Sequence, residues 1–171
     1  MLTQKVINEN IKKCHTNNNN YITVGINTTG YVNLYIYEQI LSYLNQKQSP
    51  EDARYTSYYL YKKGQITLHL NDNGSSNCFN EIIKYTNKIT EKNCTITFNS
   101  YFNRKMNNDS FESSYIYDNI DYIESLTYTL HNVDIELLKI NNEYSIRILI
   151  SPDSSSQNIY NVVNILINII L

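Results

Sequence analysis

Residues 126–150, LTYTLHNVDIELLKINNEYSIRILI, decide how the rest of the chain is read. Asn141-Asn142 reads as a two-residue turn, because Asn tolerates the positive φ that primed hairpin turns require. That turn sets position 140 opposite 143, 137 opposite 146, 136 opposite 147 and 135 opposite 148. One face then carries Val133, Ile135, Leu137, Tyr144, Ile146, Ile148 and Ile150. The other carries Asp134, Glu136, Ser145 and Arg147, with Leu138 and Leu149 as apolar exceptions. Glu136 stands opposite Arg147, an attractive cross-strand pair. A slip of one residue would turn the whole apolar set into water, so the register is well specified. Leu126, Tyr128 and Leu130 add a third strand to the apolar face if His131-Asn132 is the bend. The result is a three-stranded meander with one dry face that something must cover.

Downstream, Ser151-Pro152-Asp153 stops the last strand, and Ser154-x-x-Gln157 reads as a capping box. A closing helix follows, with Asn158, Asn161, Asn164 and Asn168 as one narrow polar stripe. Ile159, Val162, Val163, Leu166, Ile167 and Ile170 belong to an apolar arc wider than one sheet face can cover. The expectation is a homodimer or a protein partner held through this helix.

Upstream, residues 1–14 form a short helix and Asn17 to Asn20 a polar loop. Ile22, Val24 and Ile26, then Val32, Leu34 and Ile36, alternate as a first hairpin around Asn27-Thr28-Thr29-Gly30. Tyr37, Ile40, Leu41 and Leu44 repeat at helical spacing. Ser49-Pro50-Glu51-Asp52 starts a single turn. Arg54 to Tyr61 suits a strand, with a helix over 50–63 as the competing reading. Lys62-Lys63-Gly64-Gln65 turns the chain back into Ile66, Leu68 and Leu70. Phe79, Ile82, Ile83, Thr86 and Ile89 mark an amphipathic helix. Thr95 to Phe98 is a strand, parallel to 66–70 through a right-handed crossover. Ile116, Ile120 and Ile123 set another helix. The fold class this implies is α+β: a largely antiparallel sheet of hairpins and meander with helices packed on it. It forms one domain over 1–171, with a flexible loop at 103–112.

The 171 residues suffice for one core. The net charge of −2 leaves no strong electrostatic footprint for nucleic acid or an anionic membrane. Abundant Asn, Ile, Lys and Tyr, with 17 Tyr and no Trp, point to an A/T-rich genome such as that of a large DNA virus, a parasite or a low-GC bacterium. Cys14, Cys78 and Cys94 form no CxxC pair and read as reduced thiols of an intracellular protein, cytoplasmic or in a host-cell cytoplasm. The start lacks a signal-peptide apolar region, and no apolar run is long enough to span a bilayer.

His15, His69 and His131 share no metal motif, so no metal or cofactor is expected. The run from Arg54 through Tyr58, Tyr59, Tyr61, Lys62 and Lys63 mixes aromatic and basic groups, as single-strand nucleic-acid binders do. A Tyr-rich strand ending in a turn explains it as well. Asp134-x-Glu136 puts two carboxylates on one strand face, where they could hold a divalent metal. Tunnel-type triphosphatases use such strands, with basic residues alongside for phosphates, but the chain is similar to that class in this pair alone. It has no N-terminal ExExK, and Arg occurs only at 54, 104 and 147. The pair therefore reads as a solvated sheet face with one ion pair, worth little. From sequence, the first reading is a non-catalytic interaction module or subunit of a larger complex. A nucleic-acid or ribonucleoprotein-associated factor comes second, and a metal-dependent phosphohydrolase using Asp134 and Glu136 third.

Overall fold

A computed structural model describes residues 2–15, 21–27, 33–91, 94–107, 117–151 and 154–170. Among them, eight antiparallel strands close into a barrel: β1 (Tyr21–Asn27), β2 (Arg54–Lys63), β3 (Ile66–Asn71), β4 (Ser76–Glu91), β5 (Cys94–Met106), β6 (Asn119–Leu130), β7 (Val133–Ile140) and β8 (Glu143–Ile150). The order around the barrel is β1-β5-β4-β3-β2-β6-β7-β8, and β8 pairs back onto β1. Three helices accompany it: α1 (Gln4–His15), α2 (Leu34–Lys47) and α3 (Ser156–Ile170).

The meander forms in the register its turns dictate. Asn141 and Asn142 have φ of 49° and 73°, and His131 and Asn132 have φ of 51° and 60°. Ile140 pairs with Glu143, Leu137 with Ile146 and Glu136 with Arg147. Leu126 and Tyr128 face Leu137 and Ile135 across the β6–β7 ladder.

The apolar face of this meander is the outside of the barrel. Ile146, Ile148 and Ile150 on β8 pair with Ile26, Val24 and Ile22 on β1, which in turn lie beside Ile96, Phe98 and Ser100 on β5. Ile7, Ile11 and Cys14 of α1, Ile40 and Leu44 of α2, and five residues of α3 complete one buried cluster with this wall. Burying each such aliphatic side chain stabilises by roughly 1.5–3 kcal/mol, which binds the helices firmly to the barrel. Because strand side chains alternate, the residues between these apolar positions on β1, β7 and β8 are sent to the inside.

The closed barrel corrects the expected α+β layering. The segment read as a helix over 79–89 lies in β4. A register shift between Ile83 and Tyr85 breaks its two-residue alternation, and the broken pattern imitates helical spacing. Ile120 and Ile123 belong to β6, where a spacing of three places them on opposite faces. Leu34 and Ile36 are not a strand: Asn33 accepts the Ile36 amide at 3.0 Å and caps α2. β1 accordingly pairs not with its sequence neighbour but with β5 and β8. β5 runs antiparallel to β4 and β1, not parallel to β3. The helix-opening side chain is Ser155, which accepts the Asn158 amide at 3.1 Å, one residue later than the capping box predicts. Of the loop expected at 103–112, residues 103–106 are part of β5, and 108–112 lie outside the described residues.

Candidate functional site in the barrel lumen

Two cavities of about 530 and 180 Å³ occupy the inside of the barrel. Asn71, Asn77, Phe79, Asn103, Asp134 and Leu149 line the first. Tyr58, Lys62, Thr67, Tyr101, Asp121 and Leu138 are among those that line the second. Tyr21, His69, Glu81 and Arg147 line both, so these four form the waist between the two cavities. The larger cavity falls within the roughly 300–1,000 Å³ typical of ligand sites.

Arg147 is the centre of the site. Its Nε donates to Glu136 Oε1, and the other carboxylate oxygen of Glu136 accepts the Ser125 hydroxyl at 2.8 Å. The pair is therefore inside the barrel rather than on a solvated face. Glu136 keeps only 8% of its surface, while the Arg147 side chain keeps 28%, open toward the lumen. Burial lowers the affinity of Arg147 for its proton, but the Glu136 carboxylate and the Tyr21 and Tyr58 ring oxygens outweigh it, and the net shift is upward. The guanidinium stays charged.

The phenols and the imidazole lining the same cavities are neutral. Burial raises the Tyr21 phenol to about 12 against the opposing pull of Arg147. Burial likewise raises Tyr58 and Tyr101. His69 stacks on Tyr58 at 5.2 Å, and burial, then Arg147 and Lys62, lower its pKa, so the imidazole is neutral at pH 7. The buried Thr67 hydroxyl has no hydrogen-bond partner among the described residues. A ligand oxygen or a water would satisfy it.

The acidic pair Asp134-x-Glu136 is brought to one lumen face, but each carboxylate has its own arginine. Asp134 meets Arg54 at 3.1 Å and accepts the Thr129 hydroxyl at 2.7 Å. Glu136 meets Arg147. On the lumen side of β1 and β8, Tyr21, Thr23, Gly25, Asn27, Ser145, Arg147 and Leu149 carry no carboxylate, and Glu143 is exposed beside the Asn141-Asn142 turn. Among the described residues, no three His, Cys, Asp or Glu lie together as metal ligands. The residues present do not fit a divalent metal.

The candidate nucleic-acid run is divided by the two-residue period of β2. Tyr58 and Lys62 line the lumen. Arg54 pairs with Asp134, which lines the wider cavity. Tyr59, Tyr61 and Lys63 point outward, where Tyr59 packs on Tyr122 at 4.9 Å and Tyr61 on Tyr117 at 4.9 Å. No single surface carries the whole run. On α3, Ile159, Val162, Val163, Leu166 and Ile167 are buried against the barrel and the other helices, and Ile170 packs at the edge of that cluster. The larger part of the arc that the sequence reading leaves for a partner is covered within the chain, while Ile165, Ile169 and Ile170 are half-buried. Tyr21, Thr67, Glu81 and Tyr101 escaped the sequence reading. Their one local signal is alternation off the apolar face, which a solvated sheet shares.

No known family and no curated protein matches the sequence. Solved structures do match in fold. The S. pombe Pct1 RNA triphosphatase superposes with a TM-score of 0.73 at 9% identity, covering 98% of this chain and 91% of its own. The Mimivirus capping enzyme triphosphatase superposes with a TM-score of 0.69 at 9% identity, covering 99% of each chain. The barrel shares its fold with these two structures. Pct1 has also been solved in complex with the Spt5 CTD, with a TM-score of 0.73 at 9% identity over 96% of this chain and 90% of that one. These likenesses overturn the first sequence reading, a non-catalytic interaction module or complex subunit, and support the phosphohydrolase alternative. That alternative ranked low because the sequence shows a pair of carboxylates and not the closed lumen around it. No described helix is long and apolar enough to cross a membrane.

Proposed function

We propose that this chain is a phosphohydrolase of the tunnel fold, acting on a triphosphate group that enters the lumen and docks on Arg147. The single observation carrying this reading is the charged Arg147 on the wall shared by both cavities, beside the protonated phenols of Tyr21 and Tyr58. A guanidinium fork matches phosphate oxygens in pairs. Tyr21, Tyr58 and Tyr101 remain protonated at neutral pH and donate to the same oxygens. A 5′-triphosphate RNA end and a nucleoside triphosphate share this chemistry.

The reaction is displacement at the terminal phosphorus by water, with entering and leaving oxygens in line. The water oxygen bonds to phosphorus as the bridging P–O bond breaks, and the leaving group departs as a diphosphate. Arg147 balances the charge on the non-bridging oxygens. Glu81, at the waist and without an ion-pair partner among the described residues, accepts the proton of the water. No step runs through a metal.

Phosphate release from 5′-triphosphorylated RNA and from nucleoside triphosphates tests the reading. Arg147→Met should abolish release, and Glu81→Gln should keep binding while losing release. A folded wild type that releases phosphate from neither would overturn it.

A further inference from the structure

We infer that Arg147 supplies in this lumen the positive charge that a divalent metal would otherwise bring, so that the phosphate chain binds without any divalent cation. The inference rests on the functional reading above and deepens it. Both carboxylates of the acidic pair that could hold such an ion are committed elsewhere. Glu136 gives one oxygen to Arg147 and the other to Ser125. Asp134 gives one oxygen to Arg54 and the other to Thr129. A divalent ion entering here would have to displace a guanidinium from each carboxylate and then sit beside the like charge it displaced.

A phosphate chain meets the opposite situation. Arg54 is anchored to Asp134 on the wall of the wider cavity, Arg147 is at the waist, and Lys62 lines the narrower cavity. Arg147 and Lys62 thus place two cations in the lumen, with the largely exposed Arg54 beside Asp134, and a linear polyphosphate carries its charges along its own length. The Thr67 hydroxyl, buried in the same narrower half and unpartnered among the described residues, faces the path as a further donor. The Glu136 and Asp134 carboxylates fix the two arginines in place and moderate their charge.

This assignment reverses the expected effect of removing a carboxylate. In a metal site, Glu136→Gln or Asp134→Asn would weaken binding by removing a ligand. In an arginine site, each releases a guanidinium toward the phosphate and tightens binding.

Equilibrium binding of inorganic tripolyphosphate to the full chain, followed by calorimetry in EDTA and in magnesium chloride, reads the difference. Binding in EDTA, a loss of about tenfold or more in Arg147→Met, and tighter binding in Asp134→Asn are expected. The Arg54–Asp134 pair is more exposed than the Arg147–Glu136 pair, so Asp134→Asn retains the fold, whereas Glu136→Gln leaves Arg147 without its buried partner. Binding that requires magnesium, or that weakens in Asp134→Asn, would overturn the inference and leave the functional reading standing. Absence of binding under both conditions would overturn the functional reading itself.

Discussion

Glu136 and Arg147 meet inside the barrel, on adjacent strands, at the register that Asn141 and Asn142 impose from the turn. The same two residues on an open sheet would form an exposed pair of little value. Closure of the barrel turns their face into a lumen and makes the pair a buried anchor for a cationic site.

Replacing Glu136 by Gln should therefore cost about 1–3 kcal/mol of stability, between the values for exposed and fully buried pairs, because Arg147 keeps some access to lumen water. Urea denaturation measures it. The double change Glu136→Leu with Arg147→Met should recover most of the loss, since no charge is then left unpaired. A loss below about 0.5 kcal/mol in the single variant would mean that the pair is effectively solvated.

Lys62 and Lys63 are neighbours in sequence but face opposite sides of β2. Lys62→Ala should weaken tripolyphosphate binding and reduce its salt dependence, whereas Lys63→Ala should leave both unchanged. Titrations at two ionic strengths distinguish them, and equal effects would mean that the ligand binds outside the lumen.

His69 should add a pH-dependent contribution to stability. Its folded-state pKa is lowered by burial and by Arg147 and Lys62 from an ordinary 6.5. The unfolded chain then binds the proton more readily than the folded one. The contribution is whole above pH 6.5 and is lost as the pH falls through that value toward the lower folded-state pKa. His69→Gln should flatten this part of the stability profile, as thermal unfolding between pH 7.5 and about 5 would show. An unchanged slope would place the titration on another group.

Leu166 is fully buried among α1, α2 and the barrel wall. Leu166→Ala should cost about 2–5 kcal/mol by leaving a cavity, and Leu166→Lys should prevent folding. Circular dichroism and thermal melting report both. A stable, folded Leu166→Lys protein would show that α3 does not pack where the structure places it.

How much of this was legible follows the range of the interactions. The β6–β8 meander was legible because its turns are local: Asn141-Asn142 and His131-Asn132 set the register without help. Glu136 opposite Arg147 followed from that register. The β4 segment was misread because the shift near Ile83 disguises a strand as a helix. Barrel closure was invisible, because it depends on β1 pairing with β5 and β8, 68 to 128 positions away in the chain. Without closure, Tyr21, His69, Glu81 and Tyr101 look like scattered polar positions on separate strands. Only the tunnel brings them to Arg147, and only the tunnel gives the acidic pair a lumen instead of a solvent face.

The most direct test compares two RNA oligonucleotides of one sequence, one ending in a 5′-triphosphate and one in a 5′-hydroxyl, by equilibrium binding to the wild type and to Arg147→Met. The account predicts that the wild type prefers the triphosphate end by about tenfold or more, and that the preference disappears in the variant. Equal affinity of the wild type for both ends, or a preference that survives loss of Arg147, would contradict it.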